Sequence, residues 1–118
     1  LYAYNSGRMD VTNSILRGEL GQSSSLLIRT YHTVVPPAWS PFGAASLQAV
    51  PLFVDDAQGD FRLQAGSPGI DHADGSVATT TDLNGLPRVD DPNANNTDDC
   101  NNQLGCVEYA DCGAYERQ

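Results

Sequence analysis

Lysine is absent from this chain of 118 residues, and six arginines face fifteen acidic residues, for a formal net charge of −9. Phosphate neutralisation needs clustered cations, so a nucleic-acid-binding role is excluded. No apolar run approaches the roughly 18 residues of a membrane-spanning helix, and no membrane span is expected. Helical patterning is scarce too: no stretch keeps an i, i+3, i+4, i+7 apolar stripe without a Gly or Pro interrupting it. There is no CxxC pair, and both histidines, His32 and His72, lie far from the three cysteines, which argues against a zinc site or a haem attachment.

What is there is β-like and unevenly charged. Residues 1–50 carry three Arg (Arg8, Arg17, Arg29) against Asp10 and Glu19, whereas residues 51–118 carry three Arg against thirteen acids. Two differently built stretches are expected: 1–50 as short strands with a Pro-rich excursion at Pro36–Pro41, and 51–118 as an acidic C-terminal module. Met9, Val11, Asn13 and Ile15 alternate with polar residues, and Leu26 and Ile28 alternate with Leu27 and Arg29. The offset of seventeen residues from Met9 to Leu26 and from Val11 to Ile28 suggests repeated short strands. Leu1–Tyr4 also reads as strand. Because the chain starts at Leu1 within that strand-like stretch, it is expected to be a piece of something longer.

In the second stretch, 52–54 and 61–63 read as strands joined around Gly59, and Asn84-Gly85 as a tight turn. Ser67-Pro68 suggests one helical turn with Ile70 in the core, and 107–115 a last strand. Asn13 reads as a turn residue whose amide either bonds the backbone of a neighbouring strand or faces solvent.

Cys100 and Cys106 flank a polar, Gly-containing loop and are expected to form a disulfide, with Cys112 as a buried thiol, in an oxidising compartment. Arg88 follows a tight turn and is expected to pair with a carboxylate of the last segment, Glu116 or Asp111. Asp71-x-x-Asp74-Gly75 resembles half of a calcium loop, so Asp71 and Asp74 are candidate ligands and calcium a candidate cofactor. Solvated turn carboxylates are the competing reading. Trp39 and Tyr31 are candidate sugar-stacking platforms, against the plainer role of covering a core edge.

Six segments in order carry a family resemblance: Pro51-Leu52-Phe53-Val54-Asp55, Gly59-Asp60-Phe61-Arg62-Leu63-Gln64, Gly66-Ser67-Pro68-Gly69-Ile70-Asp71, Thr81-Asp82-Leu83-Asn84-Gly85, Pro87-Arg88 and Gly113-Ala114-Tyr115-Glu116. Together they resemble the C-terminal end of secreted bacterial right-handed parallel β-helix proteins, a region often described as a choice-of-anchor Q domain. Val11–Gly18 resembles one coil of such a helix. Gly69 stands where that pattern tends to have Ala, which would loosen the turn, and Cys112 stands where an aliphatic residue is usual.

The resemblance implies an all-β fold: the last coils of a right-handed parallel β-helix, followed by a loop-rich capping module with short strands. It implies a non-catalytic structural or adhesive role, extracellular or on a bacterial cell surface. A subunit of a surface assembly or fibre is a variant of that role. The expected partners are preceding coils or another copy of the chain at the open N-terminal edge, and a polysaccharide or other cell-surface component.

The alternative is a fragment of a polysaccharide lyase or glycoside hydrolase whose catalytic coils lie upstream. Within this chain the chemistry is thin. No Lys is present to abstract a proton beside a uronate, and the acidic pairs Asp55/Asp56 and Asp90/Asp91 are neighbours whose side chains diverge on extended backbone. No Gly-x-Ser-x-Gly elbow accompanies either histidine.

Overall fold

A computed structural model describes residues 7–18, 27–39, 43–96, 100 and 103–117. The strand expected at Leu1–Tyr4, together with Leu26, Phe42, Asp98 and Asp99, lies outside these residues. The described structure is β-rich with short strands. They are β1 (Arg8–Thr12), β2 (Leu27–Tyr31), β3 (Val34–Val35), β4 (Leu47–Gln48), β5 (Phe53–Asp55) and β6 (Asp60–Leu63), with one 3₁₀ turn at Asp56–Gln58.

In the first stretch the pairing is parallel. β1 lies alongside β2, β3 alongside β4, and Ile15 bridges Val34 in the same sense. The register between the first two strands is nineteen residues, not seventeen: Met9 faces Ile28 and Val11 faces Thr30. A slip of two residues keeps every side chain on its own face, so alternation alone is blind to it. Ile28 and Thr30 point inward and are buried, while Leu27 on the opposite face is exposed.

The corners of this ladder share one construction. Asn13, His32 and Ala45 occupy equivalent positions in the register and all adopt left-handed backbone, with φ of 53°, 45° and 55°. Asn and His tolerate this region better than most residues, whereas Ala45 adopts it at a cost of about 1–2 kcal/mol. A hydroxyl follows each corner: Ser14, Thr33 and Ser46. The first two reach back over the corner to carbonyls two residues earlier, Ser14 Oγ to Thr12 O and Thr33 Oγ1 to Tyr31 O, both at 2.8 Å. Ser46 Oγ instead donates to Thr30 Oγ1 at 2.9 Å. An apolar residue comes next each time, Ile15, Val34 and Leu47, and backbone bonds from Leu16 to Val34 and from Leu47 to Thr33 carry the ladder through. Gly43 makes the third level possible, because a Cβ there would overlap the Thr30 carbonyl.

The second stretch is stitched by turns. β5 and β6 form an antiparallel hairpin around the 3₁₀ turn, with Gly59 at φ 82° closing it. Asn84-Gly85 forms a tight turn inside the Thr81–Pro87 bridge. Two expectations are corrected. Ser67 starts a turn, closed by Ile70 N on Ser67 O at 3.4 Å, but Gly69 at φ 100° takes it out of helical conformation. The Ser67 hydroxyl accepts from Leu52 N at 2.8 Å, and Ile70 is buried as expected. Residues 107–115 are not a strand but a looped segment held by single backbone bonds, Ala73 N to Ala110 O, Cys112 N to Gly69 O and Leu83 N to Ala114 O.

One buried cluster joins both stretches: Val34 packs with Ala73, Val107, Ala110 and Cys112, and Ile15, Ala49, Ala78 and Tyr109 flank it. Gly69 is demanded by this packing. Its φ is 100°, and a Cβ would lie 2.9 Å from Val34 Cγ2 and 3.4 Å from Cys112 Cβ. The substitution that looked like a loosened turn is the small partner of two larger neighbours.

Candidate functional site

Polar chemistry concentrates where the turn at 67–71 meets the looped C-terminal segment. Asp71, Asp82, Asp91, Asp111 and Glu116 are all buried there. Many of the backbone amides here lie in turns and loops outside any strand ladder and need other acceptors, and the carboxylates supply them. Asp111 Oδ1 accepts from Asp71 N at 2.8 Å and its Oδ2 from Arg117 N at 2.7 Å. Glu116 accepts from Val89 N at 3.0 Å and Asp111 N at 3.2 Å. Asp82 takes the amides of Asn84, Leu86 and Glu116, and Asp71 Oδ2 takes Asp91 N at 3.0 Å.

Two arginines enter this knot. Arg88 Nη1 donates to Glu116 Oε2 at 2.6 Å, with side-chain exposures of 8% and 0%, and Arg88 Nε donates to Thr79 O at 3.2 Å. Of the two carboxylates expected for Arg88, Glu116 is the one it meets. Arg117 Nη1 donates to Asp91 Oδ2 at 2.6 Å. Carboxyl oxygens of Asp71, Asp111 and Glu116 converge to within 4.8 Å of one another.

The electrostatics divide the carboxylates. Burial pushes Asp71 up to about 6 and Asp111 up to about 7, and the negative charge of Glu116 adds to both shifts. Burial also raises Asp82, but the amides of Leu86, Glu116 and Asn84 outweigh it and hold the group below the usual carboxylate range. The Asn93 amides do the same for Asp91.

The other candidate residues are placed as follows. Asp74 is not part of the group around Asp71. Its Oδ1 accepts from Ser76 N at 2.9 Å and from Ser76 Oγ at 2.5 Å. Its backbone is clasped by the Asn13 amide, which donates to Asp74 O at 3.0 Å and accepts from Asp74 N at 2.6 Å. Asn13 therefore bonds the acidic module rather than a neighbouring strand. Cys100 and Cys106 form a disulfide across a Cα–Cα distance of 5.5 Å, which contributes about 2 kcal/mol on the chain-entropy model. Cys112 is free and buried, and its Sγ donates to His32 O at 3.0 Å.

Trp39 closes a turn on Pro36 O at 3.0 Å, and its own carbonyl accepts from Gln48. Tyr31 is half-buried at the end of β2. Neither lines the apolar cleft of about 410 Å³ that is walled by Ile15, Arg17, Phe53, Phe61 and Tyr115. Arg17 there pairs with Asp56 at 2.8 Å and lies 5.3 Å from the Phe53 ring centre.

Sequence reading missed Asp111, Asp91 and Asp82 as members of the buried group. Only the fold brings these positions together, and a buried carboxylate looks like a surface one in sequence. The repeated corners were findable, since Asn-Ser-Ile, His-Thr-Val and Ala-Ser-Leu each set a hydroxyl before a branched apolar residue. Their spacings of nineteen and thirteen residues hid the repeat. Comparison with known proteins returns no matching family model, no matching curated protein and no matching solved structure.

Proposed function

We propose that this chain is a non-catalytic terminating module of a right-handed parallel β-helix, working outside the cell or on a bacterial surface as a structural or adhesive element. The observation that carries the reading is the stack of equivalent corners at Asn13, His32 and Ala45 on a parallel ladder. A coil that returns to the same corner at the same register is the repeating unit of a solenoid, and such a unit buries its core only against neighbours. The acidic module packs on the corner residues Ile15 and Val34 through Gly69, Cys112 and Gly113, as a cap would. The Cys100–Cys106 disulfide suits an oxidising compartment. Among the described residues no helix is long and apolar enough to cross a membrane.

On this reading β1 is a strand edge that takes preceding coils or a second copy of the chain. Mass photometry and light scattering of the native material test it. Assembly, or a longer parent chain, is expected. A monodisperse 12.6 kDa monomer at every concentration overturns the reading.

A further inference from the structure

We propose that the carboxyl groups of Asp71, Asp111 and Glu116 form a buried site for a hard divalent cation of the calcium class. Their oxygens lie within 4.8 Å of one another, and each residue is at most 2% exposed. A cluster of acids alone would mean little, but Asp71 adds a second observation. Its Oδ1 is fully buried and has no hydrogen-bond donor among the described residues, while its Oδ2 is held by Asp91 N. The Asp71 carboxyl is thus anchored by one oxygen and carries a buried oxygen without a donor, in a group that converges with two further carboxylates.

The charge count points the same way. Arg88 stands on Glu116, and Arg117 is turned to Asp91. Among the described residues, Asp71 and Asp111 then accept only from backbone amides. Within the trio of Asp71, Asp111 and Glu116, two carboxylates are therefore without an arginine, a charge that one divalent ion neutralises. Burying them uncompensated is strongly unfavourable.

The donor chemistry narrows the ion. All three ligands are oxygens, without the imidazole or thiolate that selects zinc or copper. The carboxylates also serve fixed backbone amides, so they cannot rearrange into the near-ideal octahedron that magnesium demands. Calcium accepts irregular sets of six to eight oxygens, with carbonyls or water completing the shell. A cleft of about 550 Å³ beside the β5–β6 hairpin has Glu116 and Arg117 in its lining, next to the group. The bound ion would tie the turn at 67–71 to the C-terminal segment, a role separate from the terminating one and independent of it.

The test uses the whole, disulfide-intact chain stripped with a chelator, then titrated calorimetrically with calcium chloride and followed by thermal unfolding. One ion per chain is expected, with Tm rising by roughly 5–10 °C at a hundredfold excess over Kd and a smaller rise with magnesium. Asp71→Asn keeps an oxygen for the Asp91 amide and removes one charge. It is expected to abolish the calcium-dependent rise while its Tm in chelator equals or exceeds that of the parent. Asp111→Asn, read by the same two measurements, serves if Asp71→Asn fails to fold. Absence of any calcium effect on the parent overturns the proposal. So does an undiminished effect in the variants, which would place the ion on the surface loops.

Discussion

Arg88 and Glu116 form the most consequential side-chain contact described. Both are buried, and Glu116 also holds the amides of Val89 and Asp111. Removing one partner of a buried pair strands the other's charge. Arg88→Met is expected to lower the unfolding free energy by about 3–5 kcal/mol in urea denaturation. The exposed pairs Arg8–Asp10 and Arg62–Asp60 should change little when broken, because solvent screens them.

Asp71 and Asp111 make the second residue-scale prediction. Their folded values, about 6 and about 7, lie above the ordinary carboxyl value of about 3.9. The folded chain therefore holds their protons more tightly than the unfolded one. That stabilisation is complete below about pH 4 and is lost as pH rises through 6 and 7. In chelator, urea titrations should show stability falling as pH rises from 4 to 8. Asp82 and Asp91, held below the usual range, act in the opposite sense and only at more acidic pH. Cys112 should resist thiol reagents until the protein unfolds, since burial pushes its thiol up to about 12. Labelling faster than unfolding would contradict this.

At the scale of elements, the ladder and the acidic module meet through matched sizes. Gly69 sits against Val34 and Cys112 with no room for a methyl. Gly69→Ala should cost about 1–3 kcal/mol through overpacking, with left-handed strain added. Combining it with Val34→Ala should recover part of that loss, and a double-mutant cycle measures the coupling. The hairpin β5–β6 was legible because Gly59 ends a polar turn between two alternating apolar runs. The segment 107–115 was misread as strand because its Val and Tyr residues alternate. The residues this segment buries, Val107, Ala110 and Cys112, do not share one parity, so the alternation does not mark membership of a ladder.

For the whole molecule, the charge asymmetry between 1–50 and 51–118 coexists with a common core. Val34 from the first stretch is enclosed by Ala73, Val107, Ala110 and Cys112 from the second. Residues 51–118 made alone would lose Val34, Ile15 and the Asn13 clasp on Asp74. They are expected to lack a cooperative thermal transition, while the entire chain unfolds in one step. A sharp transition in the isolated stretch would show that it holds a core of its own.

The sequence by itself determined the β-rich character, the turns at Gly59 and Asn84-Gly85 and the disulfide loop. Each of these rests on neighbours in the chain: alternation, left-handed glycine, and cysteines six residues apart. Only the tertiary structure decided the nineteen-residue register, the Glu116 partner of Arg88 and the convergence of Asp71 with Asp111. Alternation repeats every two residues, so it cannot distinguish registers that differ by two. A carboxylate's role depends on which amides and charges surround it, and those come from positions 20 to 40 residues away.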